Sequence, residues 1–558
     1  MRRQLVGWST HLALGAAVML LWPSHAAAAD SSATPRPRVS QRTLEGLRVL
    51  PIQHNGRHKP FDSFARETLN HITGSPTLNG EDPVLTVLSI LAYPEEWQPR
   101  PLIAVPFRPL REALGMSPKT PHVSHEELVT TRRLMRMLPA IVEKQQHDEK
   151  LTMLEQEALD GFDRFVAFSN VVEHRLELVP SPPAGDASWR PIQQPDGYPA
   201  ATQAGITTAW TAWIMALRDG QPEAIDLTSG QLRQTLARLN PSAYPPAWRL
   251  RLEVFYNRAA PFRVTRSLYA VAAIGLLISL ASGVRWASGV GMAACGLGAA
   301  LHAAGILMRV MIGGRPPVSN FYETMLWLPF VAVLLALIFE RIYRARYFGL
   351  AASLLSAIAL TLADYVPLDS SIAPVVAVLR SNLWLTIHVL TIVASYGALA
   401  LATVLAHVYG WMTLRGRDAN NALVSLDLFL YRTIQVGVVL LAAGVMLGAV
   451  WANASWGRYW GWDPKETWAL ITLLWFLAIL HGRFAGWLKG AGVALATIGG
   501  FLLLLMTYYG VSFYLVGLHS YAGGHAKPLP PLLLAYLVGE FAFMLAVGLS
   551  PRSRLRHS

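Results

Sequence analysis

Apolar residues are distributed unevenly along this chain. From Asp30 to about Thr265 they form short helix-period clusters, at Asp62–His71, Leu151–Phe168, Ala204–Leu217 and Gly230–Leu239, separated by polar, proline-rich connections such as Ser181–Pro199. After Arg266 the pattern changes to long runs of about 20 residues, the length that crosses a hydrocarbon core of roughly 30 Å. These runs fall near 268–284, 289–312, 325–342, 348–364, 384–412, 431–451, 466–483, 491–515 and 531–549. The pattern predicts an all-α polytopic membrane protein of about nine transmembrane helices over 266–550, preceded by a mostly helical extracytoplasmic domain over 30–265. No internal repeat is visible.

The ends of the runs set an expected orientation. Residues 1–29 read as a secretory signal, with Arg2 and Arg3, an apolar run through Leu21 and small residues Ala26–Ala29 for cleavage. Whether it is cleaved or kept as an anchor, residue 30 is expected outside the cytoplasm. The loops then alternate. Arg285, Arg341/Arg344/Arg346, Arg415/Arg417, Arg483/Lys489 and Arg552/Arg554/Arg556 fall inside, in keeping with the excess of Lys and Arg in cytoplasmic loops. Those loops give much of the formal net charge of +12 a membrane-orienting role, so nucleic acid is not an expected partner. Arg315 and Arg380 are expected outside and need another reason. The single cysteine, Cys295, lies in an apolar run, which excludes a disulfide framework and a cysteine metal or redox pair. Any thiol chemistry belongs to a partner.

The densest chemistry lies between the sixth and seventh runs, in a loop over 453–468 that contains Trp456-Gly-Arg-Tyr-Trp460-Gly-Trp462-Asp463-Pro-Lys-Glu466-Thr-Trp468. Membrane interfaces usually carry scattered single aromatics. Four tryptophans in one glycine-punctuated loop point instead to an apolar platform for a flat ligand such as a porphyrin. Asp463-Pro464-Lys465-Glu466 reads as an N-cap, a proline at N1 and an acidic first turn, which would fix the platform to the next helix. His388, near the outer start of its run, and His519, just past the outer end of another, are expected at the depth of this loop. They read either as two axial ligands of a haem or as interfacial histidines bonded to loop carbonyls. Haem propionates need cations, for which Arg458, Arg315, Arg380 and Lys465 are candidates. Headgroup phosphate is the alternative partner for each, and the favoured one for Lys465.

His481 is expected about 20 Å into its helix, in the inner half of the bilayer, where ionisable groups usually face a functional pathway. His302 sits mid-helix and reads as a core histidine or a second intramembrane ligand. His407 and His525 have no assigned role.

The tryptophan loop resembles the "WWD" signature of haem-handling proteins. Gly314-Arg-Pro-Pro-Val-Ser-Asn-Phe-Tyr-Glu323, Trp384-Leu-Thr-Ile-His388-Val and Gly517-Leu-His519-Ser-Tyr521 extend the likeness, over about 290–525, to the CcsA (ResC) family of system II cytochrome c biogenesis. The resemblance implies that haem b is bound and presented on the outer face of the bacterial cytoplasmic membrane for covalent attachment to apocytochrome c. By the same likeness, His388 and His519 are the outer iron ligands and Trp456, Trp460, Trp462 and Asp463 belong to the platform. His481 is then one ligand of an inner haem, with the other supplied by a CcsB (ResB)-type membrane partner. Haem lyase activity is expected only of that complex, with a thiol-reducing, thioredoxin-like protein keeping the apocytochrome ready. Two rival readings are a haem exporter that serves a chaperone and a structural assembly subunit. Leu50–Glu67, with His54 and His58 around a glycine turn, resembles a stretch that precedes the core in some fused members.

Overall fold

The computed structural model describes residues 37–117, 119–147, 149–183, 187–365, 368, 370–374, 383–416, 422–519 and 529–551. The expected leader at 1–29 and Arg380, Arg417, His525, Arg552, Arg554 and Arg556 lie outside the described residues. The chain divides into two compact units, one reaching Ala259 and including Ser371–Pro374, the other built from Ala260 onward.

In the first unit, α1 (Gln41–Arg48) is followed by the hairpin β1 (Pro51–His54) and β2 (Arg57–Pro60). The strands pair antiparallel from Pro51↔Pro60 to His54↔Arg57. Asn55 and Gly56, at φ 50° and 71°, supply the two left-handed residues that a tight hairpin turn needs. Then come α2 (Phe61–Thr73), α3 (Pro83–Ala92), α4 (Pro94–Trp97), β3 (Pro101–Ala104), α5 (Arg108–Leu114), β4 (His122–Ser124), α6 (His125–Thr131), α7 (Arg133–Gln146), α8 (Met153–Val172), α9 (Ala200–Asp219), α10 (Pro222–Leu239) and α11 (Ala247–Ala259). The four expected helical stretches fall on α2, α8, α9 and α10, with α8 starting at Met153 after the N-cap Thr152 rather than at Leu151. The short strands are additions, since three or four residues carry too little alternation to read. Trp97 and Trp213 are fully buried in the core, each indole N–H donating to a serine hydroxyl, Ser89 and Ser229, at 2.9 Å.

The second unit contains α12 (Pro261–Ser282), α13 (Arg285–Gly313), α14 (Phe321–Tyr343), α15 (Tyr347–Tyr365), α16 (Leu383–Arg415), α17 (Ala422–Trp456), α18 (Pro464–Phe484), α19 (Ala491–Leu505) and α21 (Pro531–Leu549). A π turn at Met506–Gly510 joins α19 to α20 (Val511–Tyr514). Among the described residues nine helical segments are long and apolar enough to cross a membrane. The chain is a multi-pass membrane protein. Most helix ends lie within a few residues of the apolar runs. The largest difference is α17, which begins at Ala422 rather than near 431. Asp427 interrupts the apolar pattern there, and the helix carries it in a bidentate pair with Arg483 of α18, both bonds 2.6 Å.

The most extensive helix packing is between α16 and α17. A Cβ added at Gly437, Gly444 or Gly448 would lie 2.5, 2.8 and 2.7 Å from Leu399, Ile392 and His388 respectively, so α17 presents a glycine face on which α16 rests. Small residues in such a stripe let membrane helices approach closely.

Candidate functional site

A cavity of about 500 Å³ lies at one end of the helices, where α14 and α18 begin, α16 is in its first turns, and α17 and α19–α20 end. Its size is that of a small-molecule pocket. His388 and His519 both line it.

His388 rests on the Gly444–Gly448 face of α17, with Nδ1 2.8 Å from the Gly444 carbonyl oxygen. A carbonyl only accepts, so Nδ1 carries the proton and Nε2 keeps its lone pair. His519 repeats the arrangement with a stronger acceptor, its Nδ1–H donating to Asp463 Oδ2 at 2.9 Å. In both rings the nitrogen that remains for a metal is Nε2. Orientation of a ligating imidazole through its other nitrogen is the usual support of a metal-binding histidine.

Asp463 is the N-cap of α18, and Glu466 closes a capping box with it. Its Oδ2 also accepts the Lys465 N–H at 3.0 Å, and its Oδ1 accepts the Leu518 N–H at 2.6 Å. Burial favours the neutral acid, but the bonds from His519, Leu518 and Lys465 together outweigh it and hold the carboxyl below its ordinary value. One carboxylate therefore starts a helix, pins the segment leading to His519 and fixes that imidazole. Gly517 allows this approach, since a Cβ there would lie 2.6 Å from Asp463 Oδ1. Glu466 Oε2 accepts the N–H groups of Gly461 and Asp463 at 2.8 and 3.2 Å, which ties the tryptophan loop to the same helix start.

The aromatic wall differs from the expected loop. Trp456 ends α17, and only seven residues separate it from α18, of which Tyr459 and Trp460 reach the cavity. Trp456 meets His519 edge to face at 5.4 Å. Trp451, a turn earlier in α17, was not anticipated. Its ring is nearly parallel to that of His388 with centroids 6.2 Å apart, lies 5.7 Å from His519 and touches Trp456 at 4.6 Å. It is 3% exposed, and its indole N–H has no acceptor among the described residues.

Trp462, Arg458 and Arg315 lie apart from the cavity lining. Trp462 is 68% exposed, turned outward by its left-handed backbone at φ 57°. Arg458 is exposed beside Gly461. Arg315 points to Glu323 Oε2 at 2.6 Å, and the same carboxylate group takes Arg309 at 3.0 Å and the Ser319 N–H at 2.9 Å. That carboxylate gives Arg315 a reason for its place that needs no ligand. Lys465 lines the cavity, with Nζ bonded to Ser512 Oγ at 2.7 Å and the Tyr508 carbonyl at 3.3 Å.

His481 stands 18 residues beyond the α18 N-cap, about 27 Å along the helix. Its ring is exposed on the helix flank, with Nδ1 2.8 Å from the Leu477 carbonyl. His302 is fully buried among Phe262, Tyr269 and Phe330, with Nδ1 3.2 Å from the Tyr269 hydroxyl, away from the cavity. His407 pairs with Glu540 at 2.9 Å. In the first unit His54 approaches Lys59 and Glu67, and His58 packs on Trp189 with centroids 4.8 Å apart.

Fold and site together define a polytopic helical membrane protein with a histidine-bearing aromatic cavity at one end of its helices. The family model described as "Cytochrome C assembly protein" matches residues 318–519, which contain both cavity histidines and the tryptophan loop. Protein NrfI of Wolinella succinogenes is 30% identical over 555 residues, covering 93% of this chain. The cytochrome c biogenesis protein CcsA of a Synechococcus species is 33% identical over 300 residues, 47% of this chain and 98% of its own length. CcsA of Prochlorococcus marinus (strain NATL2A) is 35% identical over 254 residues, 39% of this chain and 79% of its own. The chain belongs to the CcsA family of cytochrome c assembly proteins and has a role in cytochrome c biogenesis. It spans 59% of the length of NrfI.

Proposed function

We propose that the chain binds haem b in this cavity and presents it on the outer face of the bacterial cytoplasmic membrane for attachment to apocytochrome c. The observation that carries this reading is the pair of imidazoles lining one cavity, each with Nδ1 held by an acceptor and Nε2 left for iron. The N–H of Trp451, without an acceptor among the described residues, and the indoles of Trp456 and Trp460 suit a flat ligand with polar edges.

Haem is the substrate here, and its vinyl groups supply the electrophile. Each cysteine thiol of the apocytochrome adds across one vinyl, forming a carbon–sulfur bond while the thiol hydrogen goes to the neighbouring carbon, so no net oxidation is needed. The protein residues bind, orient and bring reactants together, which is proximity catalysis. Asp463 holds the His519 ring so that Nε2 faces the ligand, and the α17 glycines do the same for His388. A CcsB/ResB-type subunit completes the machine. Its contribution at the inner site is a second ligand opposite His481, whose exposed imidazole stands on the flank of α18 where another chain can reach it. A thioredoxin-like protein keeps the client thiols reduced. The unit before Ala260 and the outer end of the bundle then share the extracytoplasmic side, as the distribution of Lys and Arg indicates.

The test is the optical spectrum of the protein purified with its CcsB-type partner, as wild type, His388→Ala and His519→Ala. Six-coordinate haem that is lost or altered in each variant and regained with imidazole is the expected result. Haem-free wild type, or spectra unchanged in both variants, sinks the proposal.

A further inference from the structure

Lys465 is an unusual wall residue for a cavity otherwise dominated by apolar side chains such as Leu385, Val389, Ile392 and Val445. Its ammonium has two neutral acceptors, Ser512 Oγ and the Tyr508 carbonyl. Among the described residues no carboxylate oxygen lies within ion-pair distance of it. The two nearest acids in sequence are already engaged. Asp463 accepts from His519, Leu518 and the Lys465 backbone, and Glu466 accepts from Gly461 and Asp463. Both carboxylates are fixed by the helix start, so neither is free to swing toward Nζ. The Asp463 charge is felt at Nζ, but the direct partners of the ammonium are both neutral, and a buried cation without a contact ion pair is costly and suits a site where an anionic partner arrives.

Two further observations bear on what that partner is. The first is Trp451 in the same cavity wall, 3% exposed, whose indole N–H has no acceptor among the described residues and is left to pair with a ligand oxygen. The second is the π turn at Met506–Gly510, where the helix carrying the acceptors of Lys465 departs from α-helical phase. Tyr508, inside that turn, bonds Thr324 Oγ1 at 2.8 Å and stacks on Phe321 at 4.7 Å, so the local backbone irregularity is anchored from the opposite wall. Single π turns inside α-helices are frequent at functional sites. Here it shapes the part of the cavity in which the ammonium sits.

We propose that Lys465 is the anion receptor of the cavity and pairs with a carboxylate of the bound ligand. This rests on the haem reading and deepens it: the carboxylate is a porphyrin propionate, and Lys465 fixes the rotation of the ring about the axis through the two imidazoles. With the propionate edge at Lys465, the edge bearing the vinyl groups lies on the far side of the ring. Lys465 is a positioning residue and takes no part in the bond-making step.

The test compares ferric haem with its dimethyl ester, in which both propionates are esterified, titrated into the full-length protein with its partner after bound haem has been removed. Wild type is expected to favour the free acid by about tenfold, the value of one charge-assisted pair. Lys465→Gln is expected to bind both forms with equal affinity while keeping a six-coordinate spectrum, and Lys465→Arg to keep most of the preference. Equal affinities in wild type, or an undiminished preference in Lys465→Gln, overturns the receptor role and leaves the haem reading standing. Failure of wild type to bind either porphyrin overturns the haem reading and this inference with it. Size-exclusion profiles matching wild type separate a lost preference from a lost fold.

Discussion

Replacing Asp463 by asparagine separates the two tasks of that side chain. Asparagine caps helices as well as aspartate does, so α18 keeps its start. The carboxylate, however, accepts three hydrogen bonds on two oxygens, from the N–H groups of Lys465 and Leu518 and from His519 Nδ1. An amide offers one accepting oxygen, and its NH₂ must face either the Leu518 N–H or the groups on Oδ2. In either orientation a donor meets a donor. Loss of a hydrogen bond to a charged group is worth about 1.5–3 kcal/mol. Removal of a residue that orients a metal-binding histidine typically costs about 10–100-fold in affinity, or roughly 1.4–2.7 kcal/mol. The two ranges agree, so Asp463→Asn is expected to weaken haem binding by about 10–100-fold, read by titration in detergent, with imidazole restoring the six-coordinate spectrum. An affinity within about threefold of wild type would mean that the carboxylate does not orient His519 for a metal, and would refute the reasoning.

Three other outcomes follow from particular contacts. Gly448→Ala places a methyl 2.7 Å from His388 Cε1 and is expected to displace the ring and lower haem retention at least tenfold, measured by haem content after purification. Glu323→Gln deprives the nearly buried Arg309 and Arg315 of their shared charge and is expected to destabilise the bundle by about 3–5 kcal/mol, seen as a large drop in the thermal unfolding midpoint in detergent. In the first unit, burial first, then the charges of Lys59, His71 and Arg57, lower the pKa of His54 to about 3. The unfolded chain takes up this proton below its ordinary 6.5 while the folded one does not, so stability is full above 6.5 and falls as the pH drops from there toward 3. Between pH 7 and 5 the loss is about 1–2 kcal/mol, after allowing for partial exposure. Hydrogen exchange of the β1–β2 amides should show that slope in wild type and a flatter one in His54→Gln.

The helices were legible because membrane-crossing runs need only length and apolarity, and the ends at Tyr347, Leu383, Ala491 and Pro531 lie at or next to the first residue of their runs. The start of α17 was not, because Asp427 breaks the apolar run, and the partner that offsets its charge, Arg483, lies 56 residues away in sequence. His388, His519, Trp456 and Trp460 could be grouped from sequence by depth alone, and they do share one cavity. Trp451 is not singled out by the sequence since an indole inside an apolar run reads as an ordinary membrane residue; its contact with both imidazoles arises from how α16 and the segment after α20 meet α17. The proximity of a glycine pair, Gly444-x-x-x-Gly448, was the one available signal. Lys465 read as a headgroup partner for a similar reason. A residue at the second position of a helix has no intrinsic direction in sequence, and only the packing of α18 on the π turn aims it inward.

The most direct measurement is the structure of the haem-loaded protein in complex with its partner at a resolution that places the iron. Iron is expected in the α14–α16–α17–α18 cavity, bonded to Nε2 of both His388 and His519. Iron bound elsewhere on this chain with the cavity empty, or ligated through neither imidazole, would contradict it.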